Sequence, residues 1–333
     1  MKTYLIIRLE TLGNVAMTVP VIASLSRRYP DDRFIVVAKK PLQDMFYGMP
    51  NVEYVEARIK QHGDLRRLMH QLRLLHADEV IDLQDRLSTR LLRGYLRLHG
   101  CRVHAVHYGR WRKRWLTFKG AKYSDALPTE FDRYREAFRR AGLETDTEFS
   151  SLPVNTTAAA RVSELFGERK GSWVGVAPFA KSQSNMLPYR VTKQLIMRLA
   201  ERSGTRIFLF GAGAVECEML NQWAGLHKQV ESVAGRLTLG EELELMRRLD
   251  YMLCMDSANQ HLSSLVGLRA ISIWCGTHPK LGFMGWKQHE EDILQHNELA
   301  CRPCTMHGTN HCRFFNYACK QITAKQIIQH IYE

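Results

Sequence analysis

Short apolar runs alternate with amphipathic segments along almost the whole chain, and this alternation constrains the fold more than any other feature. "YLIIRL", "RFIVVAKK", "VEYVEA", "DEVIDLQD" and "RVHAVHY" have the length and apolar content of buried strands. Between them lie "AMTVPVIASLSRRYP", "LQDMFYGMP", "DLRRLMHQLRLLHA" and "STRLLRGYLRLHG", which read as helices. Strand followed by helix, repeated, predicts parallel strands joined by crossover helices.

Residues 108–122, "YGRWRKRWLTFKGAK", break the rhythm, and "TEFDRYREAFRRAGL" resumes a helix. Near residue 155 "PVNTTAAAR" reads as a linker. The alternation then restarts with strands "SWVGVAPFA", "RIFLFGAG", "YMLCMDS" and "RAISIWCG" and the helices that follow them. The expected fold class is α/β, with two Rossmann-like doubly wound domains facing a central cleft. Residues 1–158 form the first domain, 159–320 the second, and a closing helix in 321–333 is expected to pack back on the first. A ligand is expected beyond the carboxyl ends of the strands.

With 333 residues there is chain enough for a core in each domain. A hydrophobic content of 45% against 24% charged residues excludes a disordered chain. No apolar run reaches the roughly 18–20 residues that span a bilayer. The N-terminus lacks the pattern of a secretory signal, so a cytoplasmic location is expected, with the inner face of a membrane as a peripheral site. The net charge of +13 is uneven. Residues 1–160 hold 27 Lys and Arg against 18 Asp and Glu, and the remainder 20 against 16. A basic first half predicts an anionic partner.

Two polar loops stand at one predicted sheet edge. In "MDSANQHL" a buried strand ends at Asp256, and Ser257 to Gln260, with Ala258 and Asn259 between them, open a helix with His261 on its first turn. The free N–H groups and dipole of such a helix suit a diphosphate. After the next strand, "CGTHP" brings Thr277 and His278 to the same edge. A simple helix cap explains Asp256 and Ser257 but not the second loop. In "FGAGAVE" Glu216 is placed to reach a ribose hydroxyl, with Glu218 as its rival. That run lacks the third glycine of a dinucleotide fingerprint, which argues against a dehydrogenase.

The stretch Met255–Phe283 closely resembles glycosyltransferase family 9, the ADP-heptose:lipopolysaccharide heptosyltransferases. "RLETLGNVAMTVP", "DLQDRLSTRLLR" and "VGVAPFAKSQSNMLP" resemble other segments of the family, and "CRPC…C…YAC" the tail of one of its branches. The resemblance implies a GT-B fold. The second domain would hold an ADP-sugar donor, and the first a lipid A-core glycolipid acceptor at the inner-membrane surface. It implies inverting transfer of heptose to Kdo-lipid A or heptosylated core. No cofactor would be required, although a divalent cation can accompany the diphosphate.

Two positions depart from the family pattern. After Gly13 of the first loop, where the resemblance implies an aspartate base, stands Asn14. Three residues before Pro188, where it implies a lysine, stands Asn185. Glu10 and Asp85 are the alternative bases, and Lys181 the alternative cation. Otherwise Asn14 only positions the acceptor, or the chain binds a sugar nucleotide or glycolipid with weak or no transfer.

The insert "RWRKRW" sets Arg110, Arg112, Lys113 and Arg114 between tryptophans. It suits the acidic groups of such an acceptor and a membrane–water interface. No nucleic-acid motif accompanies it, so no nucleic-acid partner is expected. Cys301, Cys304, Cys312 and Cys319 follow C-x2-C-x7-C-x6-C. The first pair has the spacing of a structural zinc site, with His307 and His311 as spare ligands; the second pair does not. Buried thiols are the other reading.

Overall fold

The computed structural model describes residues 1–39, 41–59, 63–120, 125–309, 311–312 and 314–332. It divides into two compact units, Met1–Gly109 with Pro128–Pro153, and Arg110–Leu127 with Val154–Glu333.

The first unit contains β1 (Thr3–Ile7), α1 (Leu12–Ala16), α2 (Val19–Arg28), β2 (Arg33–Ala38), β3 (Val52–Glu56), α3 (Asp64–Arg73), β4 (Glu79–Asp82), α4 (Leu87–Leu98) and β5 (Arg102–Ala105). The next helix, α5 (Arg110–Lys119), is grouped with the second unit, and α6 (Glu130–Arg140) returns to the first. The five strands are parallel in the order β3-β2-β1-β4-β5. Every residue of the central strand β1 is buried, as expected of a strand covered on both faces. The chain builds outward from β1 in one direction and restarts at β4 on the other side. The order therefore reverses between β1 and β4, and a crevice opens beyond their carboxyl ends.

The second unit contains α7 (Thr156–Phe166), β6 (Ser172–Ala177), α8 (Tyr189–Ala200), β7 (Thr205–Leu209), α9 (Ala214–Ala224), β8 (Val230–Ser232), α10 (Leu239–Met246), β9 (Tyr251–Met255), α11 (Ala258–Leu265), β10 (Ala270–Trp274), β11 (Ile293–Gln295) and α12 (Ala324–Tyr332). Its sheet order is β11-β10-β9-β6-β7-β8, again parallel throughout. Here the reversal falls between β6 and β9.

Several expectations are corrected. The supposed linker is the helix α7, capped by Asn155, whose side chain accepts from the Ala158 N–H, and the unit boundary falls at 153/154. The insert read as a break is the helix α5, outside the first unit. The closing helix, expected against the first domain, belongs to the second unit. Ile322, Ala324 and Ile327 are buried in the core of the second, among Leu195, Leu199 and Tyr251. Burying an isoleucine such as Ile327 contributes about 1.5–3 kcal/mol, enough to hold so short a helix in place.

Candidate active site

At the reversal point of the second sheet, the loops after β6, β9 and β10 meet on one carboxylate. Asp256 follows β9 and accepts three hydrogen bonds. They come from Thr277 Oγ1 at 2.5 Å, Gln260 Nε2 at 3.1 Å and Asn185 Nδ2 at 3.3 Å. Burial pushes its carboxyl up to about 6, against the hydrogen bonds from Thr277 and Gln260 that favour the anion.

Ser257 stands at the N-cap of α11 but makes no capping bond. The first N–H groups of a helix have no partner within it, so this terminus is an open set of donors. Ala258 and Asn259 supply its first two positions. Two buried polar atoms beside it, Ser257 Oγ and His261 Nδ1, have no hydrogen-bond partner among the described residues. Burial holds the His261 imidazole down to about 4, so it is neutral near pH 7. His278 is also held at about 4, by burial and by the charges of Arg302 and Lys280, and its Nδ1 accepts from the Lys280 N–H. The arrangement offers neutral donors and a helix dipole to an anion.

The cysteine-rich tail braces these loops. Ser184 donates its N–H to Thr309 O, while its hydroxyl accepts from the Thr309 N–H and its carbonyl from the Gly276 N–H. Cys304 N–H in turn donates to Gly276 O. Gly308 has φ +91°, and a Cβ there would lie 2.7 Å from Asn185 Oδ1. Only glycine fits both that backbone and that approach. Arg302 is buried beneath the end of β10. Its guanidinium donates to the carbonyls of Trp274, Cys275, Thr277 and His296 and to Gln295 Oε1.

At the reversal point of the first sheet, Asn14 in α1 donates Nδ2 to Glu10 Oε2 at 2.9 Å and to Thr11 Oγ1 at 3.1 Å. Gly13 lies buried beside it. Glu10 also faces Arg8 at 3.3 Å and Arg86 at 3.3 Å. Arg8 is itself buried and donates to Leu83 O and Tyr108 Oη. Asp85 lies three residues beyond β4, in left-handed backbone with φ +49°. It is paired with Arg90 through both oxygens, at 2.8 and 2.9 Å, and with Arg93 at 3.3 Å. Both candidate bases are thus held by guanidinium groups, and Glu10 also accepts from Asn14.

The structure brings together Asp256, Ser257, Ala258, Asn259, His261, Asn185 and Thr277 in one unit, and Gly13, Asn14 and Glu10 in the other. Glu216 lies apart from the first group, two strands away beyond β7, with its carboxylate accepting from the Ala212 N–H; Glu218 is exposed. Lys181 is exposed on the loop after β6. Lys113 is not available to an acceptor: it is buried with its ammonium 4.4 Å from the centre of the Phe283 ring. Arg112 and Arg114 are exposed and Arg110 is partly so.

The four tail cysteines are free thiols. Burial and the neighbouring Cys319, Cys301 and Cys312 push the Cys304 thiol up to about 11. Among the described residues no three His, Cys, Asp or Glu side chains are arranged to hold a metal ion.

Sequence reasoning missed Gln260, Ser184, Thr309, Gly308, Arg302 and Arg8. Gln260 belongs to the predicted helix opening, and its side-chain role was within reach, since it lies in the first turn of α11 four residues after Asp256. The others act across long sequence separations that leave no local pattern.

The fold has close counterparts. The structure of E. coli ADP-heptose LPS heptosyltransferase II superposes with a TM-score of 0.71 at 18% identity, over 99% of this chain and 97% of that one. A glycosyl transferase family 9 structure from Veillonella parvula gives 0.75 at 15% identity, over 99% and 96%. E. coli heptosyltransferase WaaC with ADP gives 0.67 at 17%, over 99% and 96%. No curated protein sequence matches the chain. Identities this low establish the GT-B fold, with its two doubly wound α/β domains. The family rests on the sequence itself, since the model of glycosyltransferase family 9 (heptosyltransferase) matches residues 65–311, most of the chain. A glycosyltransferase built around an open helix terminus, this chain belongs to glycosyltransferase family 9.

Proposed function

We propose that the protein transfers a heptose from ADP-heptose to a hydroxyl of a lipopolysaccharide core acceptor, Kdo-lipid A or heptosylated core, with inversion at the anomeric carbon. The observation that carries this reading is the uncapped α11 terminus with its two orphaned polar atoms, Ser257 Oγ and His261 Nδ1. A diphosphate supplies acceptors to those N–H groups and hydrogen-bond partners to both atoms. The solved structures of the related fold with ADP and with ADP-2-deoxy-2-fluoro heptose support the same ligand class.

In this reading Glu10 takes the proton of the acceptor hydroxyl as its oxygen attacks the anomeric carbon. The bond to the diphosphate breaks, and ADP leaves with the electron pair. Asn14 cannot accept that proton; its amide holds the Glu10 carboxylate in place. The α11 N–H groups and dipole stabilise the charge that develops on the leaving diphosphate. Asn185 brings no charge, so the site relies on dipoles where a lysine would supply a cation.

A second reading, binding without transfer, draws on the pairing of both Glu10 and Asp85 with arginines. ADP release from ADP-heptose, measured with and without Kdo-lipid A, separates the two. Acceptor-dependent release that is lost in Glu10→Gln supports transfer. Donor binding by calorimetry with no release on either Kdo-lipid A or heptosylated core supports the second reading.

A further inference from the structure

Two helices of this chain show solvent an apolar stripe on the side opposite the one they bury. On α5 the buried positions are Lys113 and Leu116. Trp111, Trp115 and Phe118 point the other way, 76, 52 and 71% exposed. Their i, i+4, i+7 spacing puts them on one line. The Trp115 and Phe118 rings lie 6.0 Å apart, and the Lys119 ammonium sits 5.2 Å from the Trp115 ring. Exposed Arg112 and Lys119 flank the stripe on one side and Arg114 on the other.

The helix α4 repeats the pattern within the first unit. It buries Thr89, Leu92 and Leu96, and turns Leu87, Leu91 and Leu98 outward, 75, 54 and 86% exposed. Exposed Arg90 and Arg97 run alongside. Leu87 directly follows Arg86, which pairs with Glu10, so this stripe starts at the rim of the candidate site.

What covers these stripes is indicated by charge. Residues 86–124 contain eleven Lys and Arg and no Asp or Glu. Arg86, Arg90, Arg93 and Arg102 are engaged with acids of the first unit and Lys113 is buried, while Arg97, Arg112, Arg114 and Lys119 are exposed. Tryptophan flanked by cations suits the headgroup boundary of a bilayer. Outward leucines enter acyl chains, but they have no ring face on which a nucleic-acid base could stack. No helix of the described residues is long and apolar enough to cross a membrane, so such contact is made from the surface.

We propose that α5 and α4 are docking faces for an anionic lipid bilayer, with Trp111, Trp115 and Phe118 as anchors of one and Leu87, Leu91 and Leu98 of the other. The proposal deepens the reading of a lipid-linked acceptor and rests on it for its purpose, but its test needs neither donor nor acceptor.

The test is flotation of the full chain with vesicles of phosphatidylethanolamine and phosphatidylglycerol, against vesicles of phosphatidylcholine alone. The expected result is binding to the anionic vesicles, weakened at least tenfold on neutral ones. The triple variant Trp111→Ser/Trp115→Ser/Phe118→Ser loses at least tenfold of that binding, and Leu87→Ser/Leu91→Ser/Leu98→Ser several-fold. Both keep the wild-type melting temperature and ADP affinity, which separates lost docking from lost folding.

The proposal is overturned by no binding to anionic vesicles, by binding unchanged in both variants, or by self-association that the variants abolish while vesicle binding persists. Salt-sensitive capture of oligonucleotides in place of vesicles also overturns it. Transfer to a deacylated, water-soluble acceptor without vesicle binding would remove the docking faces and leave the proposed function standing. Vesicle binding without transfer would do the reverse.

Discussion

The amide of Asn14 donates to the carboxylate of Glu10 at 2.9 Å across one turn of chain. An asparagine where a base is expected is therefore a partner of a carboxylate four residues away, not an empty position. With its amide fixed on Glu10, Asn14 aims that carboxylate, and Arg8 and Arg86 hold it from the other sides.

Glu10→Gln should lower kcat by about 10²–10⁴-fold, the usual contribution of a general base, while ADP affinity stays unchanged. Asn14→Ala should cost less, since the carboxylate remains but is no longer aimed. Asn14→Asp should not act as a simple restoration. It sets two carboxylates where one hydrogen bond now stands, so the pair shares a proton and the pH–rate profile moves to higher pH. Steady-state rates for the three variants across pH 5–9 check this. Equal loss in Glu10→Gln and Asn14→Ala would assign the carboxylate no special part.

Gly308 is needed for space as well as for backbone. Gly308→Ala should weaken ADP binding, because the new methyl meets Asn185 Oδ1 and the Ser182 side chain, with atoms under 3 Å. Gly63→Ala is the control. Gly63 has φ +98°, much the same strain, and none of the described residues lies within 4 Å of an added Cβ. Both should lose on the order of 1 kcal/mol of stability from the left-handed backbone. Only the first should change the dissociation constant for ADP measured by calorimetry. An unchanged constant in Gly308→Ala would free Asn185 from any part in holding the donor.

How much of this was legible in the chain follows from the range of each interaction. The strand-to-helix junction at Asp256 and Ser257 is local, so both the sheet edge and the open helix terminus could be read. The two doubly wound domains could be read for the same reason, from strand–helix periodicity. The insert at 110–119 was not recognised as a helix because its buried side carries Lys113, held on Phe283, which breaks the apolar pattern. Its regular stripe is the outward one. The fate of α12 was hidden because an amphipathic face does not name its partner; Leu195 and Leu199 lie far upstream. Arg8 and Arg302 carry no local signal of their burial. Their burial depends on carbonyls at strand ends that only the assembled sheets present.

Arg302 should be among the most sensitive positions of the second unit. Its guanidinium satisfies four backbone carbonyls and the Gln295 amide oxygen beneath the Thr277 loop. Arg302→Ala leaves several of these acceptors buried and unpaired, each at about 1–3 kcal/mol, so a loss of at least about 3 kcal/mol is expected. Arg302→Lys should recover part of it, since an ammonium has three donors but no planar fork. Denaturant unfolding of both variants measures the difference. A loss below about 1 kcal/mol in Arg302→Ala would show that water replaces the guanidinium.

Asp256 and His261 should pull the pH dependence of stability in opposite directions. The Asp256 carboxyl titrates at about 6 in the folded chain and near 3.9 when unfolded, so the native state holds the extra proton between these values. Its contribution to stability is greatest below pH 4 and falls as pH rises to 6. The His261 imidazole titrates at about 4 when folded and near 6.5 unfolded, so there the unfolded state holds the extra proton. Its contribution is present above pH 6.5 and is lost as pH falls to 4. The gap in unfolding free energy between wild type and Asp256→Asn should therefore shrink by on the order of 2–3 kcal/mol from pH 4 to pH 6.5. The gap to His261→Gln should grow by a similar amount. Denaturant titrations at half-unit pH steps give both gaps, and a common sign for the two would contradict the burial of one of these groups.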